Sequence, residues 1–344
     1  MKLTNVYLSG LGVYQPPTVD TREAARRGEY HPGFYQENKF TGLCVAGDVP
    51  PVEMAVQAGR QALSRAGDDP GRVGLLLHTA MHWQGPEGWN AAAYIQKNVV
   101  GGTIPAFEIR VGCGGLFAAL ELAAPRLDGP GSDETVLVTT AENFGTQLVD
   151  RWNALPGYIQ GDAGSALLLD RNAGFARLRA LGCITVSEVE QLYRGGEPLW
   201  PPTLSPGEKP DMRPRVTYFR ENVMALAEAN EIIARSLVKV IEQTLDEAER
   251  SLDDIARVVY MNAASFVMHQ QLLEPLGIPM ERTTWDFGRG LGHCGANDQP
   301  LSLNHLLVTG QLQAGDHVLV AGGGPAMVAA AVLEILEVPE WALA

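Results

Sequence analysis

Apolar residues in this chain fall in short runs, separated by stretches where they recur every three or four positions. The runs Val6–Val13, Val73–Thr79, Ala106–Gly112, Thr135–Thr140, Ser165–Leu169, Val258–Asn262 and His317–Ala321 predict strands. Helical spacing predicts helices over Pro51–Ser64, Asn90–Lys97, Gly114–Ala124, Ala225–Ser251, Phe266–Leu276 and Pro300–Leu307. This alternation predicts an α/β chain with parallel sheets covered by helices. Glu197–Arg215 holds many prolines and few apolar runs, so it reads as a surface loop, a lid or a partner contact. Tyr218–Arg250 after it predicts one long amphipathic helical stretch. A faint repeat is present: a strand leads into Val111-Gly112-Cys113 and a helix, and Val259–Asn262 leads into Ala263-Ala264-Ser265 and a helix. Two similar halves are expected, residues 1–172 and 173–344, with the join near 171–176.

Composition narrows the classes of function. The 344 residues are 46% hydrophobic, enough for one large core or two smaller ones. A net charge of −14 argues against nucleic acid and against anionic membrane surfaces as partners. The opening MKLTNVYLSGLGVYQPP lacks the features of a signal peptide, and no apolar run reaches the ~18 residues of a membrane span. Cys44, Cys113, Cys183 and Cys294 are scattered, without a paired metal or disulfide spacing. The chain reads as cytoplasmic, and no metal site is expected.

The segment IRVGCGGLFAALELAA carries the first chemical signal. Gly112 and Gly114-Gly115 flank Cys113 between a strand and a Leu/Phe/Ala-rich helix. Glycines there allow a sharp turn and close approach of a ligand. A thiol at a helix N-terminus faces unpaired amides and the positive end of the dipole, which lowers its pKa below the usual ~8.5. The alternative is a buried small hydrophobe, the commonest fate of free cysteine and the one expected for Cys44, Cys183 and Cys294. A Gly-x-nucleophile-x-Gly turn also suggests an α/β-hydrolase, but that fold places its acid before its histidine. Here the acid partner, Asp298, follows His293.

The second signal is DFGRGLGHCGANDQPLSLNHLL, a glycine-rich loop presenting His293, Asn297 and Asp298 before a helix. His293 is suited to accept a proton, and Asp298 to hold one imidazole nitrogen. Simple N-capping by Asp298 is the alternative. In VLVAGGGPAMVAAAVLEI a strand feeds Gly322-Gly323-Gly324, which either expose a backbone amide to a ligand oxygen or form a tight turn before a small-residue stretch. No P-loop lysine or GxGxxG spacing accompanies them.

In order along the chain, LSGLGVYQPP, Thr41-Gly42-Leu43, PVEMAVQAGRQAL, FEIRVGCGG, Gly161–Leu169 (GDAGSALLL), Pro275–Pro279 (PLGIP), GHCGANDQPLSL and GGGPAM resemble ketoacyl-acyl-carrier-protein synthase III of the thiolase superfamily. The resemblance implies a thiolase fold: two βαβαβ-type halves in a layered α-β-α-β-α core, usually a homodimer. It implies that Cys113 is the acyl-accepting nucleophile and that the amides of Cys113 and Gly323 form an oxyanion hole. No separate cofactor is implied, since CoA or phosphopantetheine arrives as part of an acyl-CoA or acyl-carrier-protein donor.

The departures from the family pattern matter as well. Asn262 stands where condensing members carry His, and His293 where they carry Asn. With Asp298 added, the set is similar to the branch that primes polyketide assembly or moves an intact acyl group onto an alcohol or amine of a natural product. The resemblance therefore implies an acyltransferase with Cys113, His293, Asp298 and Asn262 as its catalytic set, Asn262 bonding the thioester or the acceptor. A decarboxylative condensing enzyme and a non-catalytic partner subunit are the alternatives. Phe40, beside Lys39, replaces a basic residue that contacts the carrier arm. Trp83 and Trp89 lie near the loop that reaches the partner subunit's pocket in the family, with plain packing as the alternative.

Overall fold

A computed structural model describes residues 1–129, 133–200 and 211–343. Among them are the strands β1 (Tyr7–Tyr14), β2 (Thr18–Asp20), β3 (Gly42–Cys44), β4 (Val73–Thr79), β5 (Ala106–Ile109), β6 (Thr135–Glu142), β7 (Ala163–Asp170), β8 (Ala176–Thr185), β9 (Ile255–Val259), β10 (His317–Gly324) and β11 (Met327–Ile335). Every residue of β4, β6 and β7 is buried, which is why their sequences run apolar without alternation: both faces of the sheet are covered.

Nine strands form one sheet in the order β5-β4-β6-β7-β1-β8-β11-β10-β9, and β2 pairs separately with β3. The order repeats itself about the join of β1 and β8, made by the pairs Tyr7–Arg177 and Leu8–Ala176. Outward from β1 come the last, the next-to-last and an earlier strand of the first half, and outward from β8 the same holds for the second. An isolated parallel bridge, Val258 to Thr283, lies beside β9 where the first half has β5. The expected parallel sheets are corrected to a mixed one: β4–β5, β4–β6 and β9–β10 are parallel, whereas β1–β7, β6–β7, β1–β8, β8–β11 and β10–β11 are antiparallel. A two-residue turn, Pro325-Ala326, connects β10 to β11, and so short a link enforces the antiparallel pairing.

The helices form three layers. Gly115–Asp128 and Asp298–Val308 share a central core, where Leu116, Phe117, Leu303 and Leu307 pack with Val136 and Leu169 of the first half and Val318 and Leu333 of the second. Pro51–Ala66 and Ala91–Val99 cover the outer face of the first half through Met54 and Ile95. Leu226–Glu247 covers the second through Leu237, Val240 and Ile241. Alternation along β10 sends Val318 and Val320 inward to the central core and Leu319 and Ala321 outward. The result is a helix–sheet–helix–sheet–helix stack, with each fully buried Leu or Phe side chain contributing about 1.5–3 kcal/mol.

Other boundaries shift. The long helical stretch is two helices, Met212–Asn222 and Leu226–Glu247, because Ala225 is extended (φ −61°, ψ 139°). The first of them occupies the end of the expected Glu197–Arg215 loop, with Asp211 capping Arg213 N–H at 2.9 Å; residues 201–210 of that loop lie outside the described residues. The stretch after Gly324 is strand β11. Among the described residues no helix is long and apolar enough to cross a membrane.

Candidate active site

β5 stops at Ile109, earlier than the expected Gly112, and a 3-10 turn over Gly112–Gly114 leads into the Gly115–Asp128 helix. Gly112 has φ +61°, and a Cβ there would meet Pro325 Cδ at 2.5 Å, so no other residue fits the turn without displacement. Cys113 at its crest is half-buried. The β10 glycines press on the turn from the other half: a Cβ on Gly324 would lie 2.7 Å from Val111 O and 2.8 Å from Gly114 N. In the two-residue hairpin Gly324 pairs with Met327 and Gly323 with Val328. Hydrogen-bonded and open pairs alternate, so the Gly323 N–H turns away from β11. β9 ends opposite Val320, leaving no strand neighbour beyond it.

The second half delivers the imidazole. His293 is 1% exposed and is pinned by its backbone: its N–H donates to Ile159 O at 2.8 Å, and Gly161 N–H donates to its carbonyl at 2.9 Å. Its Nε2 lies 2.8 Å from Cys113 Sγ, and its Nδ1 lies 2.5 Å from Asp298 Oδ2. Sulfur, imidazole and carboxylate stand in line. Asp298 opens its helix but does not cap it, so the N-capping alternative is set aside. Fully buried, its carboxylate instead accepts from Asn262 N–H (2.7 Å), Asn262 Nδ2 (3.1 Å) and Cys294 N–H (2.7 Å) as well as from His293.

Asn262 meets this carboxylate through its side chain as well as its backbone. Its Nδ2 donates to Gly292 O at 2.8 Å and to Asp298, so both amide hydrogens are committed to the loop that holds His293. Asn262 does not line the cavity at Cys113. Charge follows the same line. Burial works to strip the proton from His293, but the Cys113 sulfur and the Asp298 carboxylate, each in hydrogen-bond contact, outweigh it and raise its pKa well above the usual value.

A cavity of about 260 Å³ opens at the sulfur. Met81, Phe144, Leu155, Ile233 and Met327 give it apolar walls, and Gln160, Tyr158, Tyr193 and Tyr260 interrupt them. Met81 Sδ is 3.5 Å from Sγ, and the Tyr158 ring packs 5.1 Å from that of His293.

Comparison with known proteins decides the family. Residues 245–335 match the model of the C-terminal part of 3-oxoacyl-[acyl-carrier-protein] synthase III. The β-ketoacyl-[acyl-carrier-protein] synthase III of Lactobacillus delbrueckii subsp. bulgaricus is 26% identical over 82% of this chain and 83% of its own. The structure of ChlB3, titled an acyltransferase, is 39% identical, covers 98% of this chain and 100% of its own, and superposes with a TM-score of 0.92. The chain belongs to the synthase III-like group of the thiolase superfamily. The 3-oxoacyl-[acyl-carrier-protein] synthase III structure from Aquifex aeolicus, 20% identical over 96% of this chain and 99% of its own with a TM-score of 0.78, shares the fold.

Elsewhere in this synthase III-like chain the expected residues take plainer places. Cys44 and Cys294 are buried, and Cys183 is half-buried in β8, where burial pushes its thiol up to about 12. Phe40 is buried in the second-half core, and only its carbonyl is used, by Thr21 Oγ1 at 2.8 Å. Trp83 and Trp89 are exposed, Trp89 beside Tyr94 at 5.5 Å. Among the described residues no cluster of His, Cys, Asp or Glu is placed to hold a metal ion. Sequence reasoning missed Gln160, Tyr158 and Glu142, which surround the site. A glutamate closing the uncharged, β-branched run of β6 was the one available signal for Glu142.

Proposed function

We propose that this protein is an acyltransferase that takes an acyl group from acyl-CoA or an acyl-carrier protein onto Cys113 and passes it, without decarboxylation, to a hydroxyl, amine or carrier thiol. Cys113 attacks the thioester carbonyl as the thiolate, and the Cys113 and Gly323 amides stabilise the tetrahedral oxyanion. The CoA or carrier thiolate leaves as a thiol, with the proton supplied by His293. An acceptor then enters, neutral His293 removes its proton as it attacks the acyl carbon, and the Cys113 sulfur departs. Asp298 holds the imidazole, and Asn262 holds Asp298.

One observation carries the reading: His293 Nε2 lies 2.8 Å from the sulfur with Asp298 behind it, while both hydrogens of the Asn262 amide go to Asp298 and Gly292. Decarboxylative condensation needs two donors around a developing enolate, and proton transfer needs one oriented base. The likeness to ChlB3 supports the same side. A homodimer is proposed with it, since β5 forms a sheet edge and presents Phe107 at 56% exposure.

Intact-protein mass spectrometry with a panel of acyl-CoA donors tests the acyl-enzyme. A mass increase equal to the acyl group is expected in the wild type and not in Cys113→Ala. Incubation with carboxyl-labelled malonyl-CoA tests the rival: labelled carbon dioxide released at the rate of turnover would establish condensation and reject plain transfer.

A further inference from the structure

Gln160 stands next to the reaction centre, yet the triad does not use it. It forms a parallel bridge with His293, closed by His293 N–H on Ile159 O (2.8 Å) and Gly161 N–H on His293 O (2.9 Å). Residues so paired project their side chains from the same face of the ribbon. Both side chains accordingly line the cavity at Cys113. Gln160 is only 5% exposed, and its Oε1 is buried with no hydrogen-bond partner among the described residues. A buried carboxamide left unpaired is a cost to the folded state, and such groups are kept where a ligand brings the partner.

The surroundings make this more than an isolated orphan. A cavity built for an alkyl chain needs no hydrogen-bonding groups, but this one places Gln160 among the phenols of Tyr158, Tyr193 and Tyr260. Among the described residues only the last is engaged within the wall, its O–H donating to Gln271 Oε1 at 3.1 Å. The group tethered to Sγ is the part of the substrates that must lie in this space. Gln160 leaves the same ribbon as the imidazole touching Sγ, which puts its side chain on the cavity wall beside the position of a tethered acyl group.

We infer that Gln160 selects the acyl group by hydrogen-bonding a hydroxyl carried near the thioester carbonyl, so that hydroxylated acyl donors are preferred over their plain counterparts. The inference rests on the acyl-enzyme proposed above and names its substrate class. A site that hydrogen-bonds a substrate hydroxyl rejects the analogue lacking it, here by about ten- to hundredfold.

Rates of Cys113 loading are to be measured by intact-protein mass spectrometry with matched pairs: 3-hydroxybutyryl-CoA against butyryl-CoA, and 2-hydroxybenzoyl-CoA against benzoyl-CoA. The wild type should load the hydroxylated member of at least one pair tenfold or more faster. Gln160→Met, similar in shape and without the amide, should bring that ratio to within about twofold of unity, and Gln160→Glu, which keeps an acceptor, should retain a preference. Equal rates within both pairs, as when a cavity water satisfies Gln160 whatever group enters, would overturn the inference and leave the acyl-enzyme standing. A preference that survives Gln160→Met would overturn it too. No adduct from any donor would defeat the acyl-enzyme itself. Should Gln160→Met fail to fold, the wild-type ratios still decide.

Discussion

Acylation of Cys113 changes the sulfur that lies 2.8 Å from His293 Nε2. The imidazole is held protonated against its burial by that sulfur and by Asp298. With the sulfur acylated, burial opposes Asp298 alone, so the pKa of His293 falls and the ring becomes the base the second step requires. In the proposed reaction the proton would thus be retained during loading and released once the acyl group is on. Two outcomes follow at this scale. Single-turnover decay of the acyl-enzyme should quicken with rising pH, with a midpoint below the titration of His293 in the free enzyme as followed by NMR; coincident midpoints would remove the coupling. Asp298→Asn, which cannot keep the imidazole oriented and basic, should slow the same decay by about 10²- to 10⁴-fold. Asn262 belongs to this scale as well. Its residue type was legible, but its use was not, because only the tertiary position of Asp298 shows where the amide is spent.

Each group of the candidate site is delivered by the end of an element, and glycine decides how closely the ends meet. Gly324 shows this most directly, since a Cβ would intrude on the backbone of the cysteine turn at Val111 O and Gly114 N. Backbone atoms cannot step aside as a side-chain tip can. Gly324→Ala should cost about 1–3 kcal/mol in urea unfolding and slow acyl loading at least tenfold by separating Cys113 from the β10 hairpin. Unchanged loading would show that the contact is slack. The same glycines made the elements readable. Gly112–Gly115 punctuates strand and helix, and Gly288–Gly295 sets off His293. What lacked punctuation was misread. β11, MVAAAVLEI, is alanine-rich and carries no strand alternation because both its faces are covered. β8 has arginines and a glycine in its run, which hide a strand that pairs with β11 and β1. Gln160 and Glu142 gave no spacing to follow, since each is a single polar residue whose meaning comes from partners far along the chain.

At the scale of the molecule the site is a seam: Cys113 comes from the first half, His293 and Gly323 from the second. Glu142 closes the seam from behind. It ends β6 fully buried, accepts from Met81 N–H (2.5 Å) and His82 N–H (3.0 Å), and packs its Cγ against Gly295, two residues after His293. Burial pushes its pKa from 4.5 up to about 7, against the two amides that favour the carboxylate. The sign follows from proton counting. Between about pH 4.5 and 7 the folded chain keeps a proton that the unfolded chain has lost, so stability falls as the pH rises through that window and levels off above it. The span corresponds to roughly 3 kcal/mol at full burial. Glu142→Gln has no proton to lose, so its stability relative to the wild type should rise by about that amount between pH 4.5 and pH 8 in urea melts. A difference that stays constant with pH would show that Glu142 ionises alike in both states. Near neutrality the group sits at the middle of its titration, where a carboxylate tightens the Met81–His82 wall of the cavity and a carboxylic acid loosens it. The seam is thus weakest in stability where its grip on the cavity wall is firmest, the compromise expected of a buried acid kept for the shape of a site.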